Sequence, residues 1–541
     1  MRVLGINAVF HDSAAALVVD GRTVAAAEEE RFSRRKHGKR PVPFSTWELP
    51  EHAIAWCLEE GGLDIDDVDA VAYSYDPEYV DPGLEGLDEN WEHLRTAYAS
   101  RAPLFLRSAF PTFDTAKFRF VRHHVAHAAS AGLASPHGDG AVLVLDGRGE
   151  RASMLAGEYR QGKLDVFATQ QLPHSLGLLY EDLTQHLGFA RSSDEYKVMA
   201  MASYGAPRFA EELRQRVYVT GDGGFRTEPF DWEAFAPKRA RGDGFEKEHA
   251  DLASSVQTVL EETLLQLCGW LAERSSTRHL TLAGGTALNC VANTRIHADG
   301  PFDSIWVQPA SGDSGTALGA ALTLAAEAGD RIEPMIGAAL GRSWTEDEIE
   351  SILRTARVRY ERPDDIGIAV GRILADNGVV GWFQGRSEFG PRALGNRSLL
   401  AHPGHASNIE RLNDIKGREQ FRPVAPMVLE ERASDIFSRG PLPSPYMLFV
   451  HDVAPAWRER LAAVTHVDGT ARIQTIHPER DASIASVLSE FDRLTGTPVI
   501  VNTSLNTAGR PMVDSPHDAL ELFGSAPVDA LALGPFLVRR A

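Results

Sequence analysis

The sequence predicts an α/β protein of two domains, the first of them internally duplicated. At 541 residues the chain is too long for one hydrophobic core. A strand–hairpin–helix pattern opens the chain and recurs from residue 141. A further strand, 279–283, runs into Gly284-Gly285-Thr286-Ala287-Leu288-Asn289, a glycine turn of the kind that leads α/β strands into helices and leaves an anion or nucleotide site.

Taken in order, residues 2–7, 13–19 and 23–27 read as strands, joined by a loop carrying His11-Asp12 and by the Asp20-Gly21 turn. Residues 50–60 read as a helix and 70–75 as a strand. The second copy starts with apolar strand 141–146, turns at Gly147-Arg148-Gly149, returns along 151–159 and continues into a helix at 176–187. Both turns carry polar residues whose backbone N–H groups can meet phosphate oxygens. Residues 250–273 predict a long amphipathic helix. From Gly341 to Asp365 the chain turns charged, which places a domain boundary near 345 and gives domains 1–345 and 346–541. Beyond it, 368–374 predicts a helix, 379–383 a strand, and 497–501 a buried strand ending in Asn502-Thr503-Ser504-Leu505-Asn506.

The formal net charge of −20 argues against a general nucleic-acid binder and tolerates a neutral or cationic small substrate. Cys57, Cys268 and Cys290 are widely spaced and form no C-x-x-C pair, which fits a reducing compartment. Met1-Arg2-Val3-Leu4 enters a strand with no signal-like apolar segment, and no apolar run reaches membrane-spanning length. A cytoplasmic protein with no membrane partner is expected.

The chemistry concentrates at Arg122-His123-His124-Val125-Ala126-His127. A short strand over 117–121 precedes it and the alanines after it favour a helix, so His123 and His127 project from one face. Two neutral imidazoles so placed form a chelate suited to Zn, Fe, Co or Ni. Asp146, at a strand end beside Gly147, and Asp313, in Gly312-Asp313-Ser314-Gly315 ahead of a helix at 316–324, are the candidate further ligands. This nitrogen and oxygen set suits a transition metal better than Mg²⁺. His124 reads as a neighbour of the ligands. In the second half, Arg386 to Arg422 holds seven basic and four acidic side chains in an otherwise acidic chain. Its Gly/Pro-rich setting predicts loops that fix guanidinium groups for bidentate contact with phosphate. No G-x-x-x-x-G-K-[ST] occurs, which excludes a P-loop.

The paired hairpins, the Gly-Gly turn and the closing Gly-rich loop together resemble the actin/hexokinase-like ATPase fold. The H-x-x-x-H pattern narrows this to the threonylcarbamoyl-transferase branch, which commonly has a Tyr where this chain has Asp146. That Asp, with His11-Asp12-Ser13, Glu28-Glu29-Glu30-Arg31, Glu195-Tyr196-Lys197-Val198-Met199 and Gly312-Asp313-Ser314-Gly315, resembles instead the NodU/CmcH family of antibiotic and nodulation-factor O-carbamoyltransferases. Lys416-x-Arg418 followed by Ser504-x-Asn506 resembles the K-x-R and S-x-N pair of YrdC-like domains, which make carbamoyl-type adenylates. The resemblance spans essentially the whole chain and is strongest at 11–20, 123–146, 385–422 and 502–509. Arg510 departs from it, standing where an acidic residue is expected before Pro511.

The resemblance implies a two-step O-carbamoyltransferase. In a C-terminal YrdC-like α/β domain, carbamoyl phosphate and ATP would give carbamoyl-adenylate. Arg392, Lys416, Arg418 and Arg472 would bind the anions, Asn502, Ser504 and Asn506 would orient the carbamoyl group, and Arg386 and Arg422 would stand behind them. In the actin-like N-terminal domain Gly284, Gly285 and Asn289 would hold the nucleotide, with Lys197 a phosphate contact and Mg²⁺ an optional companion of ATP. His123, His127, Asp146 and Asp313 would hold Fe²⁺ or another divalent transition metal, a Lewis acid for the carbamoyl oxygen. His11 is the candidate general base, and Asp12 its orienting partner or a substrate contact. The acceptor would be a hydroxyl of a small natural product or sugar. A tRNA threonylcarbamoyl transferase is the nearest rival, opposed by the charge and by Asp146. A non-enzymatic actin-like ATP-binding regulatory module leaves the Arg-rich region without a role, and a sugar kinase has no use for paired histidines. Hydrogenase-maturation carbamoyltransferases need zinc-finger cysteines that this chain lacks.

Overall fold

The computed structural model describes residues 1–38, 49–81, 83, 89–507 and 509–540. Two compact units emerge, Met1–Gly337 and Ala338–Ala541. The division falls earlier than the predicted boundary near 345 for a local reason. Arg386 donates to the carbonyls of Leu340 and Gly341, Arg397 to that of Arg342, and Phe389 N–H to that of Ala338. The charged stretch therefore begins inside the second unit.

The first unit holds two five-stranded sheets built on one plan. In the first, Arg2–Asn7 pairs antiparallel with Ala14–Val19, which pairs antiparallel with Arg22–Glu28; on its other side Arg2–Asn7 lies parallel to Ala70–Tyr73, and that strand to Phe118–Phe120. In the second, Gly140–Leu145, Ala152–Arg160 and Lys163–Gln171 form the antiparallel run, while His279–Ala283 and Ser304–Val307 add parallel to Gly140–Leu145. The order is third-second-first-fourth-fifth in both, the duplicated actin-like arrangement that the recurring pattern predicts. The strand Lys163–Gln171 gave no signal because it alternates poorly and faces solvent along most of its length.

Helix His123–Gly132 crosses helix Ser314–Glu327 closely enough that a Cβ on Gly319 would lie 1.7 Å from the carbonyl oxygen of Ala126. On strand Arg2–Asn7, a Cβ on Gly5 would lie 1.8 Å from the Ala317 carbonyl oxygen. Small residues thus seat the histidine helix and the helix that follows Asp313 against one another and against the sheet. The loops that carry candidate chemistry leave the carboxyl ends of the parallel strands, where open α/β sheets place their ligands.

The second unit is a mixed eight-stranded sheet in the order Tyr360–Glu361, Phe536–Arg539, Ala530–Leu533, Val380–Phe383, Arg397–Ala401, Val499–Ser504, Ala425–Leu429, Gln474–Ile476. Val370, Leu374, Val487, Leu488 and Phe491, from helices Ile366–Ala375 and Ala482–Thr495, share a buried apolar cluster with this sheet. One element differs from expectation. The strand predicted to stop at Val501 continues through Ser504, because Asn502 and Thr503 pair in register with Leu400 and Leu399. Among the described residues no helix is long and apolar enough to cross a membrane.

Candidate metal centre and anion pocket

His123 opens its helix directly after strand Phe118–Phe120, and His127 follows one turn later, so both imidazoles face the same side. Asp146 follows strand Gly140–Leu145, and Asp313 precedes helix Ser314–Glu327. One ligand atom from each of the four lies within 4.8 Å of all the others, and all four residues are buried. His123 Nε2 is 3.3 Å from Asp146 Oδ2 and 3.6 Å from Asp313 Oδ1; His127 Nε2 is 3.8 and 3.7 Å from the same atoms. The nitrogen of His123 away from the cluster, Nδ1, lies 3.2 Å from the carbonyl oxygen of Ser74, an arrangement that seats a proton on Nδ1 and turns Nε2 into the cluster.

The fit to a cation rests on what is unpaid inside this cluster. Among the described residues neither nitrogen of His127 has a hydrogen-bond partner, although the residue is fully buried. Buried polar atoms are rarely left so. Burial pulls the His123 imidazolium down, but the hydrogen bonds and charges of Asp146 and Asp313 outweigh it and hold the pKa well above its ordinary value. Burial also pushes Asp313 up, yet the facing charge of His11 and the two histidines hold it well below the usual carboxylate range. Asp146 is held low as well, the two histidines outweighing burial and Asp313. Two buried carboxylates and two imidazoles balanced in this way match the donor set of a divalent transition metal. His124 stays outside the cluster. Burial and the neighbouring His123 push its pKa down to about 3, and its Nε2 also lacks a partner.

His11 lies beside the cluster. Its main-chain N–H donates to Asp313 Oδ2 at 3.4 Å, its Nε2 is 3.9 Å from that oxygen, and its Nδ1 is 2.9 Å from Asp12 Oδ2. Sequence reasoning missed three neighbours. The buried carboxylate of Glu150 accepts from the main-chain N–H of His123 at 2.8 Å and of Asp76 at 2.9 Å, fixing the start of the histidine helix. Phe10 packs edge-on against the His123 ring, 5.1 Å between centroids. His37 Nδ1 stands 2.9 Å from the second oxygen of Asp12. Phe10 borders the His11-Asp12 motif and could have been found from it; His37 and Glu150 carry no local signal.

The glycine turn adjoins the same cluster. Gly284 holds φ +88°, and a Cβ there would lie 2.1 Å from the Leu145 carbonyl oxygen. Gly285 N–H donates to Asp146 Oδ1 at 3.0 Å. Asn289 is occupied locally. It caps helix Cys290–Asp299 through Ala292 N–H and exchanges hydrogen bonds with Gln257. Lys197 pairs with Asp194 at 3.1 Å, and Met199 on the same helix touches Cys290, next to Asn289.

In the second unit the Lys416 ammonium is buried among oxygens. It donates to Ser504 Oγ at 2.8 Å and Asn506 Oδ1 at 2.5 Å, and also to the Ser504 carbonyl. Asn506 in turn donates to the Arg510 carbonyl, and Arg510 pairs with Glu521. Asn502 donates to Gln474 and to the Ala393 carbonyl, tying the strand to the loop that carries Arg392. Arg418 donates to Asn413 and to the Pro423 carbonyl. Arg472 is half-buried, two residues ahead of Gln474. Arg422 pairs with Glu419 at 3.4 Å. Arg386 binds the Leu340 and Gly341 carbonyls, an architectural use of its guanidinium. Ala508, inside the 502–509 segment, lies outside the described residues.

Comparison with known proteins shows the family. Residues 2–322 match the family model for the carbamoyltransferase N-terminus, and 371–540 that for the carbamoyltransferase C-terminus. Nodulation protein NolNO of Sinorhizobium fredii is 38% identical over 99% of this chain and 80% of its own length. An uncharacterized protein of Synechocystis sp. is 37% identical, over 99% of this chain and 96% of its own. Nodulation protein U of Sinorhizobium fredii is 33% identical over 96% of each. The chain belongs to the carbamoyltransferase family.

Proposed function

We propose that this carbamoyltransferase activates carbamoyl phosphate with ATP in its second unit and transfers the carbamoyl group to a hydroxyl of a small molecule in its first. The observation that carries the reading is the convergence of His123, His127, Asp146 and Asp313, with His11 beside them, within a fold whose glycine turn touches Asp146.

In the first step Lys416, Arg418, Arg392 and Arg472 neutralise phosphate oxygens, while Asn502, Ser504 and Asn506 orient the carbamoyl group. Carbamoyl phosphate, water and ATP give carbamoyl-adenylate, phosphate and pyrophosphate: water breaks the bond to the leaving phosphate to give carbamate, whose oxygen bonds to the α-phosphorus of ATP as the bond to pyrophosphate breaks. In the second step the acceptor oxygen bonds to the carbamoyl carbon, the bond from that carbon to the AMP oxygen breaks, and the hydroxyl proton moves to His11 Nε2. Asp12 holds the His11 ring by its Nδ1. Gly284 and Gly285 offer close backbone approach to the nucleotide, and Lys197 a positive charge. His123, His127, Asp146 and Asp313 would hold Fe²⁺ or another divalent transition metal, which when bound supplies a Lewis acid at the transferring carbonyl. Hydroxylated natural products supply the acceptor classes worth trying: aminoglycosides, polyketides, deoxysugars and cephems.

The test is mass spectrometry of products from the full chain with Fe²⁺, Mg·ATP, carbamoyl phosphate and that panel. A carbamoylated acceptor with stoichiometric AMP and pyrophosphate is expected. ADP in place of AMP, or product formed without ATP, would overturn the two-step scheme.

A further inference from the structure

We infer that His37 is a positioning residue of the transfer step, fixing the His11 tautomer through a carboxylate that the two histidines share. The relay rests on the proposed role of His11 as general base. Its geometry stands independently.

Asp12 presents one carboxylate oxygen to each ring: Oδ2 lies 2.9 Å from His11 Nδ1, and Oδ1 lies 2.9 Å from His37 Nδ1. An ionised carboxylate only accepts, so each imidazole must carry its proton on Nδ1. For His11 this turns Nε2 to the side of Asp313, 3.9 Å away, where a base for the acceptor hydroxyl is needed. For His37 it leaves Nε2 to accept from the Ser193 hydroxyl at 3.0 Å. The chain of bonds thus runs from the metal cluster through His11, Asp12 and His37 to Ser193, which belongs to the other half of the duplicated unit.

The backbone marks this as a maintained arrangement. Asp12 has φ +52° and His37 φ +62°, both left-handed and neither glycine. Such a conformation is unfavourable for a residue with a side chain, so the surroundings must hold it in place. The main chain closes the loop as well: His37 N–H donates to Glu30 Oε2 at 2.7 Å, and Asp12 N–H to the His37 carbonyl at 3.3 Å. Without His37, one oxygen of Asp12 has no donor and its carboxylate is free to rotate off the His11 axis.

The test uses ¹⁵N-histidine spectra of the full chain loaded with zinc, which is diamagnetic, with His11 and His37 signals assigned by single substitution. The expected wild-type result is the Nδ1–H tautomer at both. His37→Ala should turn His11 into a tautomer mixture and lower transfer kcat about 10- to 100-fold, within the range for orienting groups, with KM and zinc content within twofold. His37→Gln keeps an N–H donor and should restore the His11 tautomer and most of kcat. Should His37→Ala fail to fold, Ser193→Ala serves: it should release the His37 tautomer and lower kcat severalfold. A His11 signal unmoved by His37→Ala, or a Gln variant as impaired as the Ala variant, would overturn the inference. The spectra need no acceptor, so a wild type with both tautomers as stated but no carbamate product would sink the proposed reaction and leave the relay standing.

Discussion

The N–H of Gly285 donates to Oδ1 of Asp146 at 3.0 Å, so the glycine turn and the candidate ligand cluster are parts of one structure. With Oδ1 tied to the turn, Asp146 keeps Oδ2 toward the two histidines. The turn that would hold a nucleotide phosphate therefore also aims a candidate metal ligand.

Gly284→Ala tests that coupling. The new methyl would lie 2.1 Å from the Leu145 carbonyl oxygen at φ +88°, so the turn must move. The left-handed conformation alone costs about 1–2 kcal/mol for an alanine. Iron content should fall along with transfer, measured by plasma mass spectrometry and product formation, while carbamoyl-phosphate-dependent pyrophosphate release stays within twofold of wild type. Full iron content with transfer lost would mean that the turn serves the nucleotide alone.

His127→Ala separates the two steps more sharply. Among the described residues the imidazole has no hydrogen-bond partner, so its removal breaks none; it leaves a small cavity and takes one facing imidazole from Asp146 and Asp313. Transfer should fall by at least about 100-fold, the loss expected when a ligand rather than an orienting group is removed, with pyrophosphate release intact. The opposite pattern, with release lost and transfer from supplied carbamoyl-adenylate retained, would reverse the assignment of steps to units.

How much of this was legible in the sequence depended on the range of the signal. The spacing of His123 and His127 is a property of one helix, and Asp146 and Asp313 each stood at a strand end or loop beside glycine, so local pattern found all four. His37 could not be found that way, because its role comes from a left-handed turn that brings it back to Asp12. Arg386 was read as an outer phosphate contact and Arg397 only as one of a basic run. Both guanidiniums are spent on carbonyls, and Arg397 is fully buried, donating to Gln384, Asn396, Arg342 and Gly385. Composition counts a buried architectural arginine and an anion-binding one alike. Strand Val499–Ser504 was cut short because Asn502 and Ser504 look like loop residues; their cross-strand partners Leu400 and Ser398 are remote in sequence.

The pH dependence of stability should carry the mark of Glu195. Burial, reinforced by Glu181, raises its pKa from 4.5 to about 7 against the hydrogen bonds of its own N–H and that of Ser192. The folded state therefore binds this proton more tightly than the unfolded state does. Its contribution is fully present below about 4.5 and is lost as pH rises toward 7. Glu195→Gln mimics the protonated form. Its Tm should match wild type near pH 4.5 and exceed it at pH 8, by calorimetry. An equal Tm difference at both pH values would remove Glu195 as the cause.

Lys416 offers the last test, because its ammonium is both a stabilising group and the proposed anion contact. Lys416→Ala should abolish carbamoyl-phosphate-dependent pyrophosphate release, but it also leaves Ser504 and Asn506 without their charged donor. Each charged hydrogen bond is worth about 1.5–3 kcal/mol, so a collapsed second unit would imitate a lost catalyst. Lys416→Arg separates the two. It keeps the charge and some of the donors, yet a planar guanidinium cannot point at two side-chain oxygens and a carbonyl gathered around one nitrogen. A folded Lys416→Arg variant, judged by an unchanged calorimetric transition, should still release pyrophosphate at least about 100-fold more slowly, with carbamoyl phosphate KM raised. Near-wild-type release in that variant would show that any positive charge suffices there, and would shift the anion-orienting role to Arg392, Arg418 and Arg472.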